Sequence, residues 1–404
     1  MNEVDIKEFL SRRSYDIRKT NNGRWIDQKC TMDVVCLVSD CIVEYVKQFP
    51  NKEFTVNDIW FSEYAARNVQ EIFSKPNPTS KAPCEYDKYF GQPIKMMAAA
   101  GILTENKQGK RNFYTVANKD LLEFISFRER NSFIFLCLYI EKTLRDSEIY
   151  WAFEKFFTYQ NSETYQELRD EFIQFTINNT RINTPVECGR IFTKVLNPLA
   201  CKYRKRGTVA GRCSDDVITQ DMLMYNQRNW RDILSEKPKD QTRDEHESRM
   251  PARSDSAMAH YRIERAKKNL RDFNFNYRGG KTELYEERHM ADVASQMHHI
   301  FPVHSYPEIA DYLENLIALT PTQHYTYAHP NNNTHLISKD YQYLCLVAKT
   351  GSIEENLLGK KQVPVIYDFD LFMQVLNTGF ETDEFDFIDY LNFNQVLNLI
   401  EQKY

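Results

Sequence analysis

The sequence predicts an α+β chain, mostly helical, on three observations. Apolar residues recur at helical spacing over 31–49, at Val34, Val35, Val38, Ile42, Val43 and Val46. Two short β-type runs in ILTENKQGKRNFYTVA meet at Lys107-Gln108-Gly109-Lys110, a hairpin signal. Near the C-terminal third, VASQMHHI, a loop, LIALT and PTQHYTYAH read as strand, loop, strand and short helix.

Taken in order, the stripe over 31–49 is an amphipathic helix, followed by FTVNDIW, by FSEYAARNVQEIF, by the break SKPNPTSKAPC and by EYDKYFGQPIKMMAAAGI, which leads into the hairpin. Helices followed by a basic hairpin resemble a winged helix-turn-helix, expected over residues 1–125. In such a domain the helix around Tyr86 to Ala100 enters a DNA groove, and Lys107, Lys110 and Arg111 form a wing on the phosphates. The competing reading is a helical packing domain with a solvated hairpin.

Residues 126–184 are helical and rich in aromatics, most economically a connector with a core stripe. From about 186, ECGRIFTKVLNPLACKYRKRGTVAGR reads as a helix running into a basic loop with Gly207 and Gly211. The charged stretch 235–256 reads as an exposed excursion. After the histidine-rich region, DYQYLCLVAKTGSIEENL is helical, VPVIYDFDLFMQVLNTGF a short strand and helix, and 361–404 an acidic extension, exposed or at an interface.

Charge and cysteine usage narrow the chemistry. The chain is 404 residues long with 42% hydrophobic and 27% charged residues, the balance of a globular protein, and it carries a net charge of −5. Cys188 to Cys213 holds seven bases and no acid, whereas Thr350 to Tyr404 holds ten acids and three lysines. A local basic face governs phosphate contacts more than the total does. Nine cysteines without a CxxC pair argue for reduced thiols rather than a disulfide framework or a structural zinc site. No apolar run has the length of a membrane span and the N-terminus lacks the apolar core of a signal peptide, so a cytoplasmic location is expected.

All nine histidines lie between 246 and 335, and six of them (298, 299, 304, 324, 329 and 335) fall within 38 residues. Such clustering points to a metal or acid–base site. Thr320 is a good N-cap and Pro321 a preferred first helical residue, so His324 sits on the short helix while His298 and His299 end a strand. His329, five residues after His324, is rotated well off the same face of an α-helix and is therefore a second-choice ligand. His304 and His335 read as loop residues.

Strand, loop, strand and helix with His-His, Asn and His resemble the ββα-metal motif of HNH nucleases. HHIFP, LENLIALTPTQH, AHPNNNT and DYQYLCLVAKTGSIEENL, with FTKVLNPLACKYRKRGTVAGR and DMLMYNQRNWRD upstream, look like the NlaIII/ICEA-like group of type II restriction endonucleases in that superfamily, over roughly 185–360. The resemblance implies an HNH nuclease domain at 185–360, with His299 as general base, Asn315 as orienting residue and His298 and His324 as ligands of Mg²⁺ or another divalent cation such as Mn²⁺. It also implies that Lys202, Arg204, Lys205, Arg206 and Arg212 contact DNA. The implied substrate is double-stranded DNA cut at a short palindromic site, CATG in characterised relatives. The implied partners are a second copy of the chain, giving a homodimer, and a cognate DNA methyltransferase acting on the same site. Simple members lack the long N-terminal region, which leaves the target sequence open. A modification-dependent or phage-defence nuclease, and a winged-helix regulator with an inactive HNH half, are the alternatives.

Overall fold

The computed structural model describes residues 1–73, 84–225, 255–287, 292–329, 338–359 and 363–404. His246, His289, His335 and most of the 235–256 excursion lie outside them. The chain divides into two compact units, Met1–Ala252 and Arg253–Tyr404.

In the first unit, α1 (Glu3–Ser11) and α2 (Ile17–Thr20) precede the buried helix α3 (Met32–Gln48). Its apolar stripe is covered on several sides, so Val34, Val35, Val38 and Ile42 are all inaccessible to solvent. Then come α4 (Val56–Trp60), α5 (Glu63–Phe73), α6 (Cys84–Ala100) and the antiparallel hairpin β1 (Leu103–Gln108) and β2 (Arg111–Val116). An isolated bridge between Phe54 and Tyr114 adds a third short edge to this hairpin. Its turn holds Gly109 at φ +63°, a conformation that costs glycine nothing.

Helices α7 (Lys119–Phe127), α8 (Glu129–Asp146), α9 (Tyr150–Tyr159), α10 (Ser162–Asn179) and α11 (Pro185–Lys202) complete the unit with β3 (Arg206–Val209) and β4 (Arg212–Val217). The aromatics of this region are core: Phe153, Phe172 and Phe192 are buried and pack ring to ring. The boundary expected at 184/185 does not coincide with a division between units. Cys188, Ile191, Phe192, Val195 and Leu199 of α11 are buried, and that helix packs on α8 and α10, so apolar burial ties 185–225 to the first unit. The same packing makes 126–184 part of a core rather than a connector. The expected basic loop is the β3–β4 hairpin, turning through Ala210 (φ +50°) and Gly211 (φ +79°), the backbone of a two-residue primed turn. Asn197 locks it to α11 by donating to the Thr208 carbonyl (2.9 Å) and accepting from its N–H (2.8 Å).

The second unit is built on α12 (Asp255–Arg278), which packs against the antiparallel pair β5 (Gln296–His299) and β6 (Leu316–Leu319). Strand β6 is buried along its whole length. Helices α13 (Lys339–Leu357), α14 (Phe369–Phe380) and α15 (Phe393–Gln402) follow. Of the expected extension 361–404, the described residues 363–404 belong to this core. Phe372, Val375, Leu376 and Val396 are fully buried, and Phe380 meets Phe301 at 5.4 Å between ring centres. A Cβ on Gly379 would lie 2.4 Å from the Phe301 ring, so glycine is required there for the approach. The strand expected near VPVIY does not form a ladder; the Asn356 side chain takes up its backbone instead, donating to Pro364 O (2.9 Å) and accepting from Ile366 N–H (2.9 Å). Among the described residues, no helix is long and apolar enough to cross a membrane.

Candidate metal centre

Strands β5 and β6 pair with His298 opposite Ile317 and His299 opposite Leu316. Successive side chains on a strand point to opposite faces, so the two adjacent histidines enter different surroundings. His298 is buried against His324 and His329, whereas His299 turns to the loop between the strands.

That loop is held by Asn315, which is fully buried. Its side-chain oxygen accepts from Phe301 N–H (2.8 Å), and its amide donates to the carbonyls of Phe301 (3.0 Å) and Ile309 (3.2 Å). The next carbonyl, of Ala310, lies 2.9 Å from His299 Nε2. A carbonyl oxygen can only accept, so Nε2 carries the ring proton and Nδ1 the lone pair. Asn315 therefore fixes both the orientation and the tautomer of His299. Asn315→Asp would set a carboxylate against two carbonyl oxygens, and a loss of about 2–4 kcal/mol in urea unfolding is expected from the broken and unsatisfied buried bonds.

The helix after β6 begins with a reciprocal cap: Gln323 N–H donates to Thr320 Oγ1 (3.2 Å) and Thr320 N–H donates to Gln323 Oε1 (3.1 Å). Gln323 is also pinned from a distance, accepting from the Thr282 hydroxyl (2.6 Å) and donating to Leu284 O (3.0 Å). From Gln323 to Ala328 the chain winds as a π-helix, closed by His329 N–H donating to His324 O at 3.2 Å. This wider turn returns the fifth residue toward the face of the first. His329, ranked second on α-helical spacing, is thereby a full member of the cluster. The His324 and His329 rings are 4.8 Å apart between centres, and one ring nitrogen from each of His298, His324 and His329 lies within 4.8 Å of the others.

Burial, followed by the neighbouring His324 and His329, holds His298 well below the usual imidazole range. Burial also lowers His324 to about 4, with His329 and Lys267 acting in the same direction. His299 falls to about 4, again through burial, against the opposing bond to Ala310. These imidazoles are neutral at pH 7, the form that binds a cation or accepts a proton. His324 Nδ1 is buried with no hydrogen-bond partner, an orphaned lone pair or N–H on a ring of the cluster. Three convergent imidazoles with such an orphan fit a divalent cation.

Behind the centre stands a charge cluster that sequence patterns do not mark. Glu283, completely buried, meets Arg278 at 2.8 Å and Lys349 at 3.4 Å, and accepts from Ala318 N–H on β6 at 2.9 Å. Lys349 in turn donates to the Tyr367 hydroxyl at 2.7 Å. Gln323, by contrast, was open to sequence reading, because T-x-x-Q before a helix is a capping-box signature.

The residues expected to contact DNA outside this centre all fall in the first unit. Lys107, Lys110 and Arg111 are exposed at the β1–β2 turn, Arg204 is exposed shortly before β3, and Arg212, the first residue of β4, is exposed beside the turn of the β3–β4 hairpin. Lys205 is half-buried at its base. Lys202 and Arg206 are committed internally, Lys202 to Glu141 at 3.2 Å and Arg206 to the carbonyls of Ser214 (2.7 Å) and Gln160 (3.2 Å). Of the five bases in that run, Arg204 and Arg212 are thus the two most available to a phosphate. No family model, curated protein or solved structure matches this chain, and what the centre can do follows from its own residues.

Proposed function

We propose that the second unit is a metal-dependent nuclease centre of the ββα-metal type, hydrolysing phosphodiester bonds of double-stranded DNA. The observation that supports this reading is the division of labour at β5: His298 joins His324 and His329 in a three-imidazole cluster, while the adjacent His299 is held as a single tautomer by a loop that Asn315 clamps. His299 Nδ1 takes the proton from the attacking water. Asn315 acts through the loop and touches no reacting atom. His298, His324 and His329 would hold the cation, which when bound would neutralise charge on the phosphate and the leaving oxygen.

The donor set bears on which ion this is. Mg²⁺ prefers oxygen ligands, whereas imidazole suits Fe²⁺, Ni²⁺, Cu²⁺ or Zn²⁺, with Mn²⁺ at the weak end of the same transition series. We therefore favour a transition ion over the Mg²⁺ that the sequence resemblance implies. In a metal-stripped sample, Mn²⁺ or Ni²⁺ is expected to restore cleavage at lower concentration than Mg²⁺. His329→Ala should raise the midpoint for Ni²⁺ binding, read by calorimetry, at least about tenfold; an unchanged midpoint would remove His329 from the ligand set.

Extended by the resemblance, the proposal is a type II restriction endonuclease acting at a short palindromic site, CATG in characterised relatives, as a homodimer whose two centres serve the two strands. A methyltransferase acting on the same site would protect host DNA. The deciding experiment is digestion of unmethylated phage DNA by the full chain with Mn²⁺ or Mg²⁺, with sequencing of fragment ends. Discrete ends sharing a motif support the site-specific reading. A smear would reduce it to a nonspecific nuclease, and cleavage of hypermethylated DNA alone would make the enzyme modification-dependent.

A further inference from the structure

Helix α12 brings cationic side chains toward the histidine centre from outside the ββα segment. It packs against both β5 and β6, and Ala266, Leu270, Phe273 and Asn274 form a buried stripe along it at helical spacing. Lys267 and Arg271 flank that stripe, one helical turn apart. Lys267 follows the buried Ala266 on the helix that packs against β5, the strand of His298 and His299, and its charge adds to the lowering of His299 and His324. Its ammonium meets Glu264 at 3.1 Å, an exposed carboxylate one turn earlier that a phosphate can displace. Arg271 is exposed, and one further turn along the same side Phe275 is 71% exposed, an apolar ring without a core role.

We infer that Lys267 and Arg271 form the track on which the second unit holds the DNA backbone beside its histidine centre. The four-residue step between them rises about 6 Å along the helix, at about 1.5 Å per residue, so two long cationic side chains on one side of it can reach neighbouring phosphates of one strand. Lys267 takes the phosphate nearest the centre and Arg271 the next one outward. The exposed bases of the β1–β2 and β3–β4 hairpins belong to the other unit and are no part of this track. Exposed Lys and Arg neutralising phosphates supply sequence-independent affinity, so this track positions the duplex and leaves base readout to other elements.

The inference takes its substrate class from the nuclease reading, and its test is independent of cleavage. The full chain is kept in EDTA and its affinity for a fluorescent 20-base-pair duplex is measured across a KCl series. The Lys267→Gln/Arg271→Gln double variant is expected to lower the slope of log K against log salt by about 1.8, at about 0.9 per phosphate released. Ni²⁺ binding within twofold of the unsubstituted chain shows that the centre is still folded. An unchanged slope, or a wild-type chain that does not bind duplex in a salt-dependent way, overturns the inference. Loss of slope in a chain that cuts no DNA under any condition would sink the nuclease reading and leave the track standing.

Discussion

His299→Ala is expected to slow single-turnover cleavage of duplex DNA by about 10²–10⁴-fold, the range a positioned general base contributes. Affinity for duplex and for Ni²⁺ should stay within a few-fold, because His299 faces the Ala310 carbonyl and does not belong to the cluster of His298, His324 and His329. The separation follows from strand geometry, in which neighbouring residues on β5 leave on opposite faces. A matched His324→Ala variant should fail in the complementary way, losing cation affinity together with rate. Retained cutting by His299→Ala would take the general-base role away from His299, and a collapse of Ni²⁺ binding in that variant would make it a ligand.

Glu283→Gln is expected to destabilise the second unit by about 3–5 kcal/mol, the cost of leaving buried cations without their counter-ion. Burial alone would raise this carboxyl, but Lys349, Arg278 and the Ala318 N–H overturn that and bring it to about 2. Burial lowers the Lys349 ammonium to about 8, against the pull of Glu283. The two shifts differ in sense for stability: the carboxylate has two cations and an amide, whereas the ammonium sets chiefly one carboxylate against complete burial. The stabilising share therefore belongs to Glu283. Its folded value lies below the ordinary 4.5, so its contribution is present above that value and is lost as pH falls toward about 2. Urea midpoints followed from pH 6 to pH 2.5 should fall steeply in the parent protein, with a shallower acid limb in Glu283→Gln. Equal acid limbs would mean that other carboxylates carry the acid sensitivity.

The two results bear on each other through β6. Ala318, which hydrogen-bonds to Glu283, is one residue from Ile317, the register partner of His298. Weakening the charge cluster loosens the strand that presents the first histidine of the centre. Glu283→Gln should therefore also weaken Ni²⁺ binding at temperatures where the fold remains intact, although Glu283 is not a ligand.

The features legible in the residues alone are local. The period of two puts His298 and His299 on opposite faces. Thr320 and Pro321 start a helix that carries His324. Asn315, one residue before β6, reaches across the loop with its amide, because an Asn in that position has both donors and an acceptor to spend on backbone. These features depend on residues within a few positions of one another, so pattern and propensity reach them.

Contacts between distant parts of the chain set the rest. His329 joins the cluster because the turn after Gln323 winds as a π-helix, and Gln323 is itself anchored to Thr282 and Leu284, some forty residues earlier in the chain. Lys349 reaches Glu283 and its near neighbour Arg278 from 66 residues away, and the acidic C-terminal stretch contributes Phe372, Val375 and Val396 to a core instead of lying free. Residues 185–225 pack into the first unit because α11 buries its apolar face against α8 and α10. Each of these outcomes is set by burial and bonding between residues distant in sequence, where spacing along the chain carries no information about who will meet.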